Sequence, residues 1–210
     1  MVLSTSNDIA NGDAVVLADT TRSSSFDITG CSISDGTNTD SATPSSYNED
    51  GQGGPQYCVI HTTHAYSHTN TLTEKVTLNG SSVAEVIVFD VTGVDPTTPI
   101  DATGTTHTGG TAQTATTTPS FASGAMGRPN DFVLGCIATH TGTLSANSWP
   151  LIGFTGQNIL CGEETAPSQS AQTYSITNSA SSMWAGFDLV LQGPAASTNA
   201  ANRKLKGIGQ

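Results

Sequence analysis

Three histidines within eight residues are the first candidates for metal chemistry: His61, His64 and His68. Imidazole nitrogens are common ligands of transition metals. Side chains alternate between the two faces of a strand, so residues 64 and 68 share a face and residue 61 lies on the other. A three-histidine site would need a bulge or a turn here. We therefore predict polar strand and loop positions, and His107 and His140 have no partner in sequence.

Two short acidic stretches, residues 35–40 and 49–50, offer the hard oxygen ligands that calcium prefers. Their spacing does not match an EF-hand, and we expect solvated loop acids with no bound metal or other cofactor. The chain contains no GxSxG, no HExxH and no phosphate-binding glycine loop. Nothing in the sequence places two carboxylates at a matched cleft, as a glycosidase requires. We expect no catalytic residue and predict that the protein is not an enzyme.

The four cysteines, Cys31, Cys58, Cys136 and Cys161, allow three pairings among which the sequence does not choose. No two have CxxC spacing, which argues against a zinc knuckle or thioredoxin-like chemistry. Free cysteine packs as a small hydrophobe, so buried free thiols are the favoured interpretation. Disulfides formed after release from a cell are the alternative.

The composition favours an all-β protein. The 210 residues include 33 Thr, 24 Ser and 22 Gly, and only 11% are charged, against roughly 25% in an ordinary soluble domain. Chains rich in Thr and Val and poor in Lys and Glu favour strands over helices. The longest apolar runs are far shorter than the roughly 18 residues of a transmembrane helix, so we expect no membrane partner.

Short apolar segments bounded by turn residues recur along the chain and predict strands. The predicted strands are residues 13–19, 25–34, 56–66, 72–78, 83–92, 132–140, 150–155, 157–162, 172–177 and 183–192. Residues 86–89 have no polar alternation, so both faces of that strand should be buried, as in a central strand. Asn79-Gly80 predicts a hairpin turn. Residues 35–55 and 93–110 are predicted loops, and the aromatic residues are expected in the core.

About ten strands with long loops predict an antiparallel β-sandwich, jelly-roll or concanavalin-like, as a single domain over residues 1–193. No repeat with a period of 20–50 residues is visible. The chain then changes character, because residues 194–201 are small and those after them are basic. Residues 194–210 are predicted to be an extended C-terminal tail.

Charge is distributed unevenly between these two parts. Residues 1–200 hold all 17 acids and three bases, a net charge of −14, whereas residues 201–210 hold three bases and no acid. An acidic body repels phosphates, so nucleic acid is not an expected partner. We predict that the basic end docks onto acidic groups of a shell protein or of a neighbouring copy, with two apolar side chains filling small pockets. The predicted docking residues are Arg203, Lys204, Leu205, Lys206 and Ile208.

The first eight residues have neither a basic n-region nor an apolar h-region, so no secretory signal peptide is expected. A polar, weakly charged composition is nevertheless typical of proteins that act outside cells. A virion component, assembled in a cell and later released, accounts for both observations.

The segment VFDVTGVDPTTPID, residues 88–101, carries a resemblance to a known kind of module. A Thr-rich stretch (111–118), the strand DFVLG (131–135) and a final strand that begins Trp184-Ala185 follow it. Together these resemble a module of uncharacterised phage structural proteins and bacterial surface proteins. The resemblance covers about residues 8–192 and implies a jelly-roll or lectin-like sandwich.

These observations predict a non-enzymatic structural protein of a tailed-phage virion, specifically a capsid decoration (cement) protein. The expected partners are the major capsid protein or other virion proteins and further copies of the chain, in a dimer or trimer. The protein would be made in the host cytoplasm and exposed on the particle surface. One alternative is a tail- or fibre-associated module that binds host glycan through loops 35–55, 93–110 and 141–150. Another is a bacterial surface adhesin.

Overall fold

The computed structural model describes most of the chain, in twelve segments. These are residues 2–3, 8–21, 28–45, 55–67, 72–80, 84–108, 114–129, 131–146, 148–155, 159–166, 168–193 and 205–207. Within them the protein is all-β, without a helix, and its strands form several antiparallel sheets.

The strands fall into a first half and a second half, each followed by one further strand. Those of the first half are β1 (Val2–Leu3), β2 (Ala14–Thr21), β3 (Ile28–Ser34), β4 (Thr39–Ala42), β5 (Pro55–His61), β6 (Thr73–Leu78) and β7 (Ala84–Val91). The segment that follows the first half contains β8 (Thr106–Thr108). Those of the second half are β9 (Ser120–Ala122), β10 (Phe132–Thr139), β11 (Leu144–Ala146), β12 (Leu151–Thr155), β13 (Ile159–Thr165), β14 (Thr173–Asn178) and β15 (Trp184–Leu191). The final strand is β16 (Leu205–Gly207).

Hydrogen bonding groups the described strands into four sheets. Sheet I has the order β1-β6-β3-β4, and sheet II has the order β16-β7-β2-β5. Sheet III has the order β8-β15-β10-β13-β12, and sheet IV has the order β9-β14-β11. The first half therefore builds sheets I and II, apart from β16, and the second half builds sheets III and IV, apart from β8.

Three clusters of buried apolar side chains join these sheets in sequence. One cluster combines residues of sheets I and II, a second combines sheets II and III, and a third combines sheets III and IV. Sheets II and III therefore carry apolar residues on both faces. In β7, Ile87 and Phe89 belong to the second cluster, whereas Val86 and Val88 belong to the first. This confirms the expectation that both faces of that strand are buried.

The structure corrects several local predictions. The predicted loop over residues 93–110 contains β8, which pairs with β15. The predicted loop over residues 35–55 contains β4, in which Asp40 lies opposite Ile33 of β3. The predicted hairpin at Asn79-Gly80 is also wrong, because β6 belongs to sheet I and β7 to sheet II. Apolar side chains of both strands meet in the first cluster, so the turn carries the chain from one sheet to the other.

Six strands of each half repeat the same order, whereas β4 adds to sheet I and β12 to sheet III. In the outer sheets β1-β6-β3 corresponds to β9-β14-β11, and in the inner sheets β7-β2-β5 corresponds to β15-β10-β13. The pairing registers agree residue by residue. Ala14 lies opposite His61 and Val91, and Phe132, 118 positions later, lies opposite Thr165 (104 later) and Leu191 (100 later). The pairings of β1 with β6 and of β9 with β14 keep the same offsets.

The same turn precedes the central strand of each half. The Asp13 carboxylate accepts the main-chain N–H of Ala10 at 2.9 Å, and the Asp131 carboxylate accepts that of Arg128 at 3.1 Å. In both halves the aspartate carbonyl accepts the N–H of the residue that follows the neighbouring strand, at 2.9 Å. Short polar side chains commonly fix turns in this way. The correspondence between the halves therefore extends from topology to local chemistry.

Each half supplies an edge strand to the other half. The chain leaves β7, bridges Ile100 to Leu191 and then forms β8 along β15 of the second half. The chain leaves β15 and, after residues 192–204, forms β16 along β7 of the first half. The exchange of edge strands between the halves is reciprocal.

Candidate functional site

The predicted docking segment lies, in part, on the edge of β7. Leu205 lies opposite Val91, Lys206 opposite Asp90 and Gly207 opposite Phe89, in antiparallel register. Among the other predicted docking residues, Arg203, Lys204 and Ile208 lie outside the described residues. The contact is a strand added to a sheet edge, a mode of recognition that depends mainly on main-chain hydrogen bonds.

The crossover between the halves is held by Asp95. One carboxylate oxygen accepts the N–H groups of Thr97 (2.9 Å) and Thr98 (3.1 Å), and the other accepts Arg128 Nη1 at 3.1 Å. These bonds hold the pKa of Asp95 well below its ordinary value, with the turn amides contributing most. Arg128 Nη1 also donates to the carbonyl of Gly193, so one guanidinium ties the crossover to the end of β15.

Asp101 secures the next turn of the crossover. Its carboxylate accepts the N–H groups of Thr103 at 2.9 Å and Gly104 at 3.2 Å, and it also accepts the N–H of Gly127. The sequence motif Gly-Val-Asp…Pro-Ile-Asp is thus explained by turn capping. Both aspartates therefore have a structural role, because each carboxylate accepts amides two and three residues further along the chain.

A histidine and an aspartate that the sequence analysis treated separately come together beside β4. The Asp40 carboxylate accepts Thr63 N–H at 2.8 Å, Thr63 Oγ1 at 2.6 Å and Tyr66 Oη at 2.8 Å, and His64 Nδ1 lies 3.4 Å away. Burial alone would raise the pKa of Asp40, but these hydrogen bonds hold it below its ordinary value. The arrangement fastens the segment after β5 onto sheet I.

Buried acids form the least expected feature of the first half. Glu74 is 1% exposed and faces the first cluster, and neither of its oxygens has a hydrogen-bond partner among the described residues. Burial, reinforced by the charge of Asp90, raises the pKa of Glu74 to about 7. Burial also raises the pKa of Asp13 nearby. Both pKa values are raised because burial disfavours the charged form of a carboxyl group.

The second half has a buried acid at a different position. Asp188 of β15 is fully buried, and neither carboxylate oxygen has a partner within the described part of the chain. Burial raises its pKa to about 8. Burial and the charge of Asp188 together raise the pKa of Tyr174 above its ordinary value.

All four cysteines are paired, which overturns the interpretation as free thiols. Cys31 bonds Cys58 between sheets I and II, and Cys136 bonds Cys161 across neighbouring strands of sheet III. Cys136 and Cys161 are register partners with Cα atoms 4.2 Å apart, so strand pairing itself brings the two sulfurs together. Disulfides of this kind persist in oxidising environments.

The described aromatic residues support the core rather than a binding surface. The rings of Trp149 and Tyr174 lie 4.9 Å apart, and those of Tyr57 and Phe187 also lie 4.9 Å apart. Trp184 is 7% exposed. These positions confirm the prediction of core aromatics, while Tyr47 falls outside the described residues.

Within the described ranges no group of three or more His, Cys, Asp or Glu side chains could hold a metal ion. His68 lies outside those ranges, and only the backbone of His107 is described. A separate search of the same residues finds no helix with the length and apolar character needed to span a membrane.

No family model, curated protein or solved structure matches this chain significantly.

The sequence analysis missed the buried acids, and part of the signal was available. Alternation along β15 puts Asp188 on the same face as Trp184 and Val190, and both of those apolar residues belong to the third cluster. An acid between two core residues on one face is a burial signal. Glu74 similarly lies between Leu72 and Val76, which belong to the first cluster.

Proposed function

We propose that the protein is a non-enzymatic structural protein of a tailed-phage virion, specifically a capsid decoration (cement) protein. On this proposal its sheets form stacked β-sandwiches within one domain, residues 1–193, and residues 194–210 are a docking tail. Its partners are the major capsid protein or other virion proteins and further copies of itself. The protein is made in the host cytoplasm and ends on the particle surface.

The pairing of β16 with β7 is the observation that carries this proposal. A strand that follows thirteen intervening residues, 192–204, adds to a sheet edge through its backbone. A cement protein works by joining neighbouring subunits, and strand addition does this without a preformed pocket. Three bases in the last ten residues complement an acidic surface.

Two further properties support a structural role. The buried and hydrogen-bonded acids of the described chain are used in turns and cores, as Asp95, Asp101 and Asp40 illustrate. Two disulfides stabilise the fold against unfolding outside a reducing cytoplasm. The described aromatics are mostly buried, which gives the glycan-binding alternative no support from them.

Particle binding tests the proposal. Particles stripped of the protein should bind the full chain at about one copy or ring per capsomer site, as quantified by mass spectrometry. The triple variant R203E/K204E/K206E should bind at least tenfold more weakly, because it reverses the charge of the docking tail. Lys75→Glu is the matched control, since it reverses an exposed base on β6 and should leave binding unchanged.

A copy number far below one per capsomer site would overturn the decoration role. Binding of the isolated chain to host polysaccharides, with no binding to stripped particles, would favour the glycan-binding alternative instead.

A further inference from the structure

We infer that the edge of β7 is an exchangeable strand acceptor, and that in the assembled protein it is filled by residues 205–207 of a second copy of this chain. The inference rests on the proposed docking role of the tail and names the partner. In the closed chain β16 fills its own β7 edge, and in the exchanged form the same strand fills the β7 edge of a neighbour.

The same contact with β7 forms whichever copy of the chain supplies the strand. Residues 205–207 pair with Phe89, Asp90 and Val91 through the backbone. Exchange of an identical element between copies preserves these contacts, so an exchanged dimer gains no strain and loses no hydrogen bond at the acceptor. The free-energy difference between the two forms is therefore set by the connection and by concentration.

The chain already contains one example of this exchange. The segment after β7 pairs with the last strand of the other half, through Ile100 and β8, in the same manner as β16 pairs with β7. The last strand of each half thus accepts a segment that belongs to a different half. A second copy of the chain offers the same acceptor to the C-terminal segment.

The internal crossover is anchored by more than strand pairing. Asp101 N–H donates to the carbonyl of Val190 at 2.9 Å, and Gln192 N–H donates to that of Pro99 at 2.9 Å. The Gln192 side-chain amide donates to the carbonyl of Thr98 at 2.6 Å. These bonds, with the turns capped by Asp95 and Asp101, fix the internal crossover in the chain. The described pairing of β16 spans three residues.

The two crossovers also differ in the length of their connecting segments. From Val91 to Ile100 the first crossover uses eight intervening residues, 92–99, whereas from Leu191 to Leu205 the second uses thirteen, 192–204. Because the two halves correspond, eight residues suffice for the closed path. The five additional residues add about 17 Å of reach in an extended chain, which is enough to pass to an adjacent copy.

The composition of the connection and the charges of the body and tail agree with strand exchange between copies. Residues 194–202, PAASTNAAN, contain no large apolar side chain that would fasten the connection to its own body. The body of the chain carries −14 and the last ten residues carry +3. Two bodies repel each other, and a basic segment delivered from one copy to the other offsets part of that repulsion.

Oligomeric state tests the exchange. The full chain should double its mass in light scattering as concentration rises from micromolar towards millimolar. Deletion of residues 196–200 shortens the connection to the eight residues that suffice for the closed path, and this variant should stay monomeric with an unchanged melting temperature. A variant that ends at residue 193 should also be monomeric.

Peptide binding tests the acceptor directly. A fluorescent peptide of residues 201–210 should bind the variant that ends at residue 193, whose β7 edge is open, at least tenfold more tightly than it binds the closed full chain. The L205P/K206P peptide is the control, because proline lacks the N–H that strand pairing needs. Loss of binding by this control peptide is expected.

Two outcomes overturn the exchange: a full chain that stays monomeric at every concentration, or a chain that dimerises as strongly after deletion of residues 196–200. Particle binding separates this inference from the proposed function. A chain that exchanges strands but does not bind stripped particles overturns the decoration role alone. A monomeric chain that binds particles overturns the exchange alone.

Discussion

The two halves fill one corresponding position of their cores in opposite ways, with Tyr174 in the second half and Glu74 in the first. Beneath the Tyr174 ring lie Gly135 and Gly162, which face each other in β10 and β13. A Cβ atom built on Gly135 would stand 2.6 Å from the ring, and one on Gly162 would stand 2.8 Å from it. The large ring therefore requires the absence of side chains on the strands that it covers.

In the first half the volumes are reversed. Leu17 and Cys58 occupy the positions that correspond to the glycine pair, and they too are register partners. Glu74, the counterpart of Tyr174, is smaller and also buried, and Cys58 is bonded to Cys31 of the opposite sheet. At this position the larger side chain comes from the outer sheet in the second half and from the inner sheet in the first half. In the first half this arrangement buries a carboxyl group.

Exchanging the buried acid between the halves should produce the largest change in the free energy of unfolding. Asp188 corresponds to Val88, so Asp188→Val gives the second half the residue that the first half uses. With a pKa of about 8, folded Asp188 keeps its proton while the unfolded chain releases it above about pH 4. Stability of the wild type therefore falls as pH rises from about 4 to 8, and Asp188→Val should recover on the order of 4 kcal/mol at pH 8.

The reverse exchange is the control for this prediction. Val88→Asp should introduce the same loss of stability with rising pH into the first half, because Val88 is equally buried at 2% exposure. Chemical unfolding across the pH range measures both variants. A wild-type stability that does not change between pH 4 and 8 would contradict the prediction.

Removing each disulfide should have the next largest effect. The bridges span sequence separations of 27 and 25 residues, and chain entropy predicts a loss of about 3 kcal/mol for each. The double variants C31A/C58A and C136A/C161A should therefore lose similar stability in urea unfolding. A distinctly larger loss for the first pair would show that a bond between sheets contributes more than one within a sheet. No loss for either pair would contradict the prediction.

The prediction with the smallest expected effect concerns the packing of the Tyr174 ring against Gly135. Gly135→Ala should cost about 2 kcal/mol, because its new methyl group must displace the ring or the strand. Gly30→Ala in β3 is the matched control, since a Cβ there meets no atom within 4 Å. Thermal unfolding should separate the two variants by several degrees. Equal melting temperatures would show that the ring moves aside at no cost.

The sequence was sufficient for the all-β class and for most long strands, because alternation and apolar runs are local signals. The last long strand follows this alternation, since Phe187 and Leu189 lie in the second cluster and Trp184 and Val190 in the third. The capping bonds of Asp95 and Asp101 are equally local, because their partners lie two and three residues further along the chain. These features depend only on near neighbours in sequence.

Features that depend on pairing between residues far apart in sequence were not predicted. The cysteine pairs follow from strand order, which the spacing of residues does not encode. The repeat escaped notice because corresponding residues differ, as Tyr174 and Glu74 do, and because the offset between halves shifts from 118 to 100 positions along the chain. All five docking residues remain a prediction. The backbone of Leu205 and Lys206 lies in β16, whereas Arg203, Lys204 and Ile208 lie outside the described residues.

The reciprocal crossover also sets an order of events during synthesis. Val91 leaves the ribosome 114 residues before Leu205, its partner on the edge of sheet II. Throughout that interval β7 presents an open edge, which is the kind of surface that recruits strands from other chains. Sheet II closes only after residues 205–207 have emerged, and β7 on a polysome then meets both its own β16 and the β16 of neighbouring chains.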